Sequence, residues 1–381
     1  MTEETGQSSQ TSHGDYNAIS GPGGKSTVNI YNTIQQQPIT PGAAPPLPNL
    51  IVGREDDMAA LEQRLTGERE TTLLTAVRGW PGIGKTTLAA ALAHDDKLKT
   101  AFPDGVLWIA LGQEPGVHLG LGDWLTALGE DPRAYPTLEV RTQRLAAMLR
   151  QKKMLLIVDD VWEAADAQPF LVGGAACRTL ITTREPKVAR DLGLPEQAIY
   201  KLLVLSEEAS LELLSKIAPA VVASDPEGVK ILVNELEGLP LALHVAGRLL
   251  VEEAELGLGV SELLAELAEG ARILEEQAPA DRTELATQTT PTVAALFKRS
   301  TNRLDEETHE RFALLGIFVP KPATFDAPAI AAAWGVDDPK PTLRALLARG
   351  LIEPAAGGRF QMHALLALHA KSLWGEGEED A

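Results

Sequence analysis

The chain has 381 residues, 44% of them hydrophobic, which is enough for two or three domains that each bury a core. A formal charge of −19 and an aromatic content of 4% disfavour a surface that holds nucleic acid or an anionic membrane by electrostatics or base stacking. Cys177 is the single cysteine, which suits a reducing compartment. With no signal-like segment and no apolar run of the ~20 residues that a membrane span needs, we expect a soluble, cytoplasmic protein without a membrane partner.

Residues 1–48 are rich in Ser, Thr, Gly, Asn, Gln and Pro, and this composition predicts a disordered tail. Within the tail, residues 28–34 (VNIYNTI) are uncharged, β-prone and free of Pro and Gly, which is the composition of a steric-zipper segment. An ordinary tail with some β-branched residues has the same composition, so both interpretations stay open. The tail is too short for a folded signalling domain and is the predicted output segment.

Strand-like and helix-like segments alternate over residues 49–205. Apolar runs typical of parallel strands that are buried on both faces lie at 71–78, 105–111, 154–158, 179–182 and 198–205. Because helical segments separate these runs, we predict a three-layer α/β P-loop nucleotide-binding domain with a parallel sheet.

The first apolar run is followed by GWPGIGKT at residues 79–86, which matches the pattern G-x-x-x-x-G-K-[ST]. A strand, a glycine-rich loop and a helix in this order form a phosphate cradle, because the loop N–H groups and the helix N-terminus face the anion. The motif therefore predicts a purine nucleotide site, in which Lys85 reaches the β- and γ-phosphates and the Thr86 hydroxyl ligates Mg²⁺. The candidate nucleotide-binding residues here are Gly82, Ile83, Gly84, Lys85, Thr86 and Thr87.

The third apolar run ends in two carboxylates, Asp159 and Asp160. Acids at the carboxyl edge of a parallel sheet lie beside the phosphate site. We assign Asp159 to Mg²⁺, directly or through water and opposite Thr86, and Asp160 to orienting an attacking water. The candidate catalytic residues are thus Lys85 and Asp160, and the candidate metal ligands are Thr86 and Asp159.

The strand-like runs then stop, and helical patterns predict a helical domain over residues 206–290. Over residues 291–376 we predict a winged-helix domain, because helices precede a candidate hairpin whose turn is Gly357-Gly358. The acidic residues 377–381 are predicted to be a solvated end.

Seven short motifs follow one another over residues 49–375 in an order that resembles the NB-ARC proteins. They are VGRE (52–55), GWPGIGKTT (79–87), FPDGVLW (102–108), LLIVDDVW (155–162), ITTR (181–184), GLPLAL (238–243) and QMH (361–363). NB-ARC proteins are signal-transduction (STAND) ATPases that include plant disease-resistance receptors, the apoptosome scaffold and many bacterial regulators. The resemblance implies the same series of P-loop, helical and winged-helix domains.

The resemblance also implies roles for five further residues. Val52 and Arg54 match the segment that contacts the adenine edge, and Pro240 matches the proline that packs on the adenine. Arg184 matches the sensor arginine that reads the γ-phosphate, and His363 matches the winged-helix histidine that binds the β-phosphate of ADP. Taken alone, the last three are also consistent with a helix-starting proline, a surface arginine and a packed histidine.

By resemblance, the protein is an ATP/ADP-dependent molecular switch whose ADP-bound form is a closed monomer. Exchange for ATP would permit self-association into a ring or filament for bacterial immune or cell-death signalling, with a sensor or effector protein as a further partner. Hydrolysis would be slow and serve switching, because the Asp159-Asp160 pair lacks the glutamate of fast hydrolysers. The family commonly has an aspartate after the histidine that orients it or caps the next helix, and here the position is Ala364. Some bacterial and fungal relatives carry short amyloid-type signalling motifs at the position of the tail, and residues 16–34 are loosely similar to them in composition.

Two alternatives remain beside the switch. A transcription regulator would contact DNA phosphates through the winged helix, where the candidate cations are Lys340, Arg344 and Arg349. Three cations in a chain this acidic form a thin phosphate-binding surface, which disfavours nucleic acid as a partner. A remodelling ATPase would require sustained turnover.

Overall fold

The structure is a computed structural model that describes residues 42–47, 50–67, 71–76, 82–113, 115–276, 290–318, 320 and 323–374. The tail segment 28–34, the first three residues of the glycine motif and the acidic end lie outside the described residues. Among the described helices, none has both the length and the apolar character that crossing a membrane requires.

Five strands form one parallel sheet in the order β2-β3-β4-β1-β5. The strands are β1 (Thr71–Ala76), β2 (Val106–Gly112), β3 (Leu155–Val161), β4 (Arg178–Thr183) and β5 (Ile199–Leu202). All five predicted strands are thereby confirmed, although β5 ends before the predicted 205 because the chain leaves the sheet toward the next helix. Since β4 lies between β1 and β3, the carboxyl ends of these three strands meet at one place.

Helices cover both faces of this sheet. They are α1 (Glu55–Thr66), α2 (Lys85–His94), α3 (Asp96–Ala101), α4 (Val117–Ala127), α5 (Leu138–Leu149), α6 (Ala164–Ala167) and α7 (Pro186–Asp191). Strand β3 shows why the layers number three: Leu155 and Ile157 belong to the core on one face, while Leu156 and Val158 belong to the core on the other. The apolar run at the start of β3, Leu155 to Val158, is therefore buried on both sides, as the sequence predicts.

Five helices, the helical unit, follow the sheet within residues 207–276. They are α8 (Glu207–Ile217), α9 (Pro219–Ser224), α10 (Pro226–Glu235), α11 (Pro240–Glu255) and α12 (Val260–Glu276). The side chain of Ser206 accepts a hydrogen bond from the Ala209 N–H, and that of Asp225 accepts one from the Gly228 N–H, so two helices begin at capping residues that satisfy free amide groups.

The C-terminal unit combines helices with a two-stranded ribbon. Its elements are α13 (Pro291–Asn302), α14 (Glu306–Leu314), α15 (Ala327–Trp334), α16 (Lys340–Ala348), β6 (Glu353–Ala355), β7 (Arg359–Gln361) and α17 (Ala364–Ser372). Strands β6 and β7 pair antiparallel, which confirms the predicted hairpin, and Phe325 adds a bridge to Phe360. The winged-helix assignment of this unit stays a prediction.

One hydrophobic core runs through all three units. The core that begins under α2 and the sheet continues through Leu243 of α11 to Phe297 and Phe312 of the C-terminal unit. The units are therefore packed together in this structure, and the end of the sheet that carries the glycine loop faces the two helical units.

Candidate functional site

The glycine loop turns into α2 through two residues with left-handed backbones. Gly82 has φ of 87° and Gly84 has φ of 97°, backbone conformations that residues with a Cβ rarely adopt. Gly84 is the N-cap residue of α2, and a Cβ added to it would meet no atom within 4 Å. Space thus opens at the N-terminus of a ten-residue helix, where free N–H groups and the helix dipole favour an anion.

A hydroxyl and a carboxylate meet beside this space. Thr86, in the first turn of α2, directs Oγ1 at both carboxylate oxygens of Asp159, at 3.2 and 3.0 Å. Thr182 of β4 donates a second hydrogen bond to Asp159 Oδ1 at 2.5 Å, and its oxygen accepts the N–H of Asp160 at 2.8 Å. Asp159 is fully buried, so these two hydroxyl groups fix its carboxylate at the end of β3.

Asp160 leaves the strand in an unusual backbone conformation. Its φ is 51°, and the register between β3 and β4 shifts between Val158 and Val161. At this shift Asp160 is not in register with a residue of β4. Its carboxylate accepts hydrogen bonds from Arg184 Nε at 3.2 Å and from Trp162 Nε1 at 3.3 Å. The Arg184 guanidinium also stands over the Trp162 ring, 5.2 Å from its centroid.

Burial shifts the pKa values of two charged residues in this cluster. Burial and the nearby Arg184 lower the pKa of Lys85 to about 8, against the opposing influence of the two aspartates. Burial and the neighbouring Asp160 raise the pKa of Asp159 to about 6, although both hydroxyl donors and Lys85 act to lower it. A buried cation and a buried anion whose charged forms are both penalised by burial are suited to a ligand carrying phosphates and a metal ion, since such a ligand compensates both charges.

The oxygen donors also suit Mg²⁺, which prefers carboxylate and hydroxyl ligands and in phosphate sites keeps only one or two protein ligands. Thr86 and Asp159 already lie within hydrogen-bond distance of each other and could both turn to one cation. No cluster of three or more His, Cys, Asp or Glu residues placed for a metal ion occurs in the part of the chain that the structure describes.

Arg54 holds the loop in place rather than reaching into the open space. Its guanidinium donates to the carbonyl of Ile83 at 2.8 Å, to the carbonyl of Leu203 at 2.9 Å and to Asp57 at 2.9 Å. The preceding Gly53, with φ of 63°, lies against α8: a Cβ there would stand 2.2 Å from that of Ala209. The segment from the buried Val52 to Arg54 therefore connects the loop with the first helix of the helical unit.

Two other units meet the loop at Gly82. The N–H of Leu241, which follows Pro240 at the start of α11, donates to the Gly82 carbonyl at 3.3 Å. A Cβ on Gly82 would stand 3.0 Å from the Leu241 Cβ and 3.5 Å from His363 Cε1. His363 Nδ1 accepts the Leu365 N–H at 3.2 Å and so caps α17. A neutral ring with this bond carries its proton on Nε2. The family commonly has an aspartate at the position of Ala364 that orients this histidine, and here the Leu365 N–H orients the ring instead.

The predicted site residues thus gather at one end of the sheet. Lys85, Thr86, Asp159, Asp160 and Arg184 form one cluster, and the loop glycine joins it to Pro240 and His363. Thr87 is half-buried on α2 behind them. The sequence indicated no role for Thr182 or Trp162, although both lie in the quoted motifs, because their partners come from a different strand or from an irregular backbone.

This fold and this cluster define a P-loop nucleoside-triphosphate-binding protein. The NB-ARC domain family matches residues 54–222, and the chain belongs to the NB-ARC family of STAND ATPases. Regulatory protein AfsR of Streptomyces griseus is 32% identical over 84% of this chain. Apoptotic protease-activating factor 1 of Homo sapiens is 28% identical over 62% of it.

The chain spans 32% of the length of AfsR and 20% of that of apoptotic protease-activating factor 1. Among solved structures, the Walker-type ATPase paby2304 of Pyrococcus abyssi aligns at 15% identity with a TM-score of 0.39, over 84% of this chain and 96% of its own.

Proposed function

We propose that the protein is an ATP/ADP-dependent switch with an ADP-bound closed form. The observation that carries this proposal is the meeting of three units at Gly82, where the start of α11 bonds the phosphate loop and His363 Cε1 lies 3.5 Å from the position that a Cβ on Gly82 would take. A nucleotide in the loop would touch residues of all three units. Whether the nucleotide carries two or three phosphates would therefore bias how the units pack, because a ligand shifts the equilibrium between two packing states through the contacts that differ between them.

The chain's own residues supply the contacts for the phosphates. Lys85 and the N-terminal amides of α2 bind the β- and γ-phosphates, and Thr86 and Asp159 hold Mg²⁺, which neutralises phosphate charge when bound. His363 donates from Nε2 to the β-phosphate of ADP and thereby keeps the C-terminal unit against the loop. Val52, Arg54 and Pro240 border the adenine, with Arg54 acting through the loop carbonyl that it holds.

Arg184 distinguishes ATP from ADP by contacting the γ-phosphate, and hydrolysis is slow. In this structure the Asp160 carboxylate accepts bonds from Arg184 and Trp162, so it is engaged rather than free to orient a water. The Arg184 Nε–H would have to release the Asp160 carboxylate, as Arg184 binds the γ-phosphate, before Asp160 could orient a water. This requirement couples turnover to sensing and suits a switch better than an enzyme of high turnover.

The names of the relatives suggest the output. One is a regulatory protein and the other activates a protease in apoptosis. We propose that ATP loading releases the C-terminal unit and permits assembly of several copies for bacterial immune or cell-death signalling, with a sensor or effector protein as partner. An amyloid-type role for residues 28–34 stays a prediction, because that segment lies outside the described residues.

The test of the switch begins with the nucleotide that the purified protein carries. Denaturation followed by chromatography should release about one equivalent of ADP, and Lys85→Ala should release none. Light scattering should then show a monomer with ADP and a larger species with a non-hydrolysable ATP analogue and Mg²⁺. His363→Ala should lose ADP faster, whereas the control His309→Ala on α14 should not. A protein that binds no adenine nucleotide would end the proposal.

The structure gives less support to the DNA-binding alternative. Of its three candidate cations, Arg349 pairs with Glu252 of α11 at 2.9 Å and its side chain is only 16% exposed. Lys340 and Arg344 remain, which is too little positive charge to hold a duplex against a net charge of −19. Retention on duplex DNA that falls with salt and with Arg344→Ala would revive this alternative.

A further inference from the structure

Trp162 touches both residues that respond to the third phosphate. Its indole N–H donates to Asp160 Oδ2 at 3.3 Å, while its ring face carries the guanidinium of Arg184 at 5.2 Å. Arg184 closes the triangle by donating from Nε to Asp160 Oδ1 at 3.2 Å. The side chains of Arg184 and Asp160 are 13% and 10% exposed, so the triangle is largely shielded from water.

The arrangement uses only part of the hydrogen-bonding capacity of Arg184. A guanidinium has five N–H donors, and within the described ranges a single one of them, on Nε, has a protein acceptor. The terminal Nη groups remain available for a phosphate, which an arginine can bind through two parallel hydrogen bonds. Arg184 bonds Asp160, which directly follows Asp159 at the Thr86 hydroxyl, so the fork lies beside the phosphate space.

We propose that Trp162 is a positioning residue for recognition of the γ-phosphate: its ring holds the guanidinium of Arg184 while its N–H fixes Asp160. This inference rests on the proposed nucleotide switch and deepens it. Without the ring, the Arg184 side chain would lose conformational entropy each time the γ-phosphate binds, and this loss would weaken the binding of ATP. ADP makes no contact with this fork, so its affinity would not change.

The experiment compares the affinities of the full chain for ADP and for AMPPNP, both with Mg²⁺, by calorimetry. Trp162→Leu is expected to bind ADP like the wild type and to bind AMPPNP roughly threefold to tenfold more weakly, as expected for loss of a partly buried cation–π contact. Trp162→Phe keeps a ring face and should retain most of the AMPPNP affinity. Trp374→Leu is the matched control, because this tryptophan is half-exposed at the end of the C-terminal unit.

A double-mutant cycle separates positioning from a general structural effect. In an Arg184→Ala background, Trp162→Leu should cause no further loss of AMPPNP affinity, since the side chain that it positions is already gone. Equal losses for ADP and AMPPNP, an AMPPNP affinity unchanged by Trp162→Leu, or a Trp162→Phe variant as weak as Trp162→Leu would each overturn the proposal. Melting temperatures of the nucleotide-free variants show whether folding is affected.

The outcomes also distinguish this inference from the switch itself. If the wild type binds neither nucleotide, the proposed function fails before Trp162 is tested. If the wild type binds both and Arg184→Ala weakens AMPPNP while Trp162→Leu does not, the switch stands and only the positioning role of Trp162 is wrong.

Discussion

At the end of β4, a single hydroxyl serves two neighbours on β3. Thr182 donates to the carboxylate of Asp159 and accepts the N–H of Asp160, and its side chain is buried. The hydroxyl therefore satisfies a buried charge and a buried amide at once. Without it, the Asp160 N–H would lose this acceptor, and the fully buried Asp159 carboxylate would keep only the hydroxyl of Thr86.

Thr182→Val is expected to lower the free energy of unfolding by about 2–3 kcal/mol, since it leaves a buried carboxylate and a buried N–H short of one bond each. Mg²⁺-dependent nucleotide binding should weaken with it. Thr179→Val is the control: the same substitution at a buried position of the same strand, where no side-chain hydrogen bond occurs among the described residues. Chemical denaturation measures the free energy of unfolding of both variants. Equal effects of the two substitutions would show that the hydroxyl of Thr182 does not contribute to stability.

Gly82 combines a left-handed backbone with close neighbours, whereas Gly193 has the same backbone and open surroundings. Gly193→Ala should cost only the left-handed conformation, about 1–2 kcal/mol. Gly82→Ala should add a displacement of Leu241 and His363, and should weaken ADP binding by about tenfold or more, equivalent to about 1.4 kcal/mol. If both variants bind ADP equally well, the contact of the three units at this glycine does not support nucleotide binding.

At the scale of elements, α11 connects the nucleotide loop with the C-terminal unit. Its first turn contacts Gly82, and its last turns carry Glu252, which pairs with Arg349, and the buried Glu253, which pairs with Arg299 of α13. The helix has 16 residues and is largely buried. A shift of its first turn would therefore be transmitted to the ion pairs at its other end.

Elements that depend on local pattern could be predicted, and contacts that depend on sheet order could not. The apolar runs gave all five strands, and the glycine motif placed Lys85 and Thr86 at a helix start, since these follow from neighbouring residues. The partnership of Thr182 with Asp159 depends on β4 lying between β1 and β3, which no local pattern specifies. The left-handed backbone of Asp160 depends on an irregular register that apolar periodicity does not reveal.

Arginine side chains show the same limit. Resemblance assigns Arg54 to the segment at the adenine edge, which stays a prediction, and did not reveal that its guanidinium holds the Ile83 carbonyl 29 residues further along the chain. The winged-helix alternative offered Arg349 as a DNA contact, but at the end of α16 it pairs with Glu252 of α11. A long cationic side chain reaches several acceptors, so its partner is decided by tertiary structure rather than by its own segment.

A buried histidine joins the last helix to two others and makes stability depend on pH. His369 of α17 bonds Thr301 at 2.9 Å and lies between the rings of Phe297 and Phe312. Burial, with a smaller repulsion from His309, lowers its pKa to about 3. The folded protein thus keeps the ring neutral, whereas the unfolded chain takes up a proton near pH 6.5.

Because the folded pKa is the lower one, the stabilisation is complete above pH 6.5 and is lost as the pH falls toward 3. Between pH 6.5 and 5 the contribution should fall by about 2 kcal/mol. His369→Gln should reduce the slope of unfolding free energy against pH in this window, and His118→Gln on α4 should leave it unchanged. A slope that is the same in wild type and His369→Gln would contradict the assignment.

For the whole molecule, the continuous core and the shared contact at Gly82 make the three units one cooperative body while they are closed. ADP at one hundred times its dissociation constant should then stabilise all three by about 2.7 kcal/mol, because binding to the folded state alone shifts the global equilibrium. Amide hydrogen exchange should show this added protection in α17 as well as in α2.

Arg349→Ala removes the ion pair with Glu252 and the bonds to the carbonyls of Ser300 and Arg303. We expect it to retain ADP-dependent protection in α2 but to lose most of it in α17, since the C-terminal unit can then open without releasing the loop. Arg344→Ala, exposed on the same helix, should behave like the wild type. If ADP never protects α17 even in the wild type, the nucleotide stabilises only the sheet domain and the closed body is not a single cooperative unit.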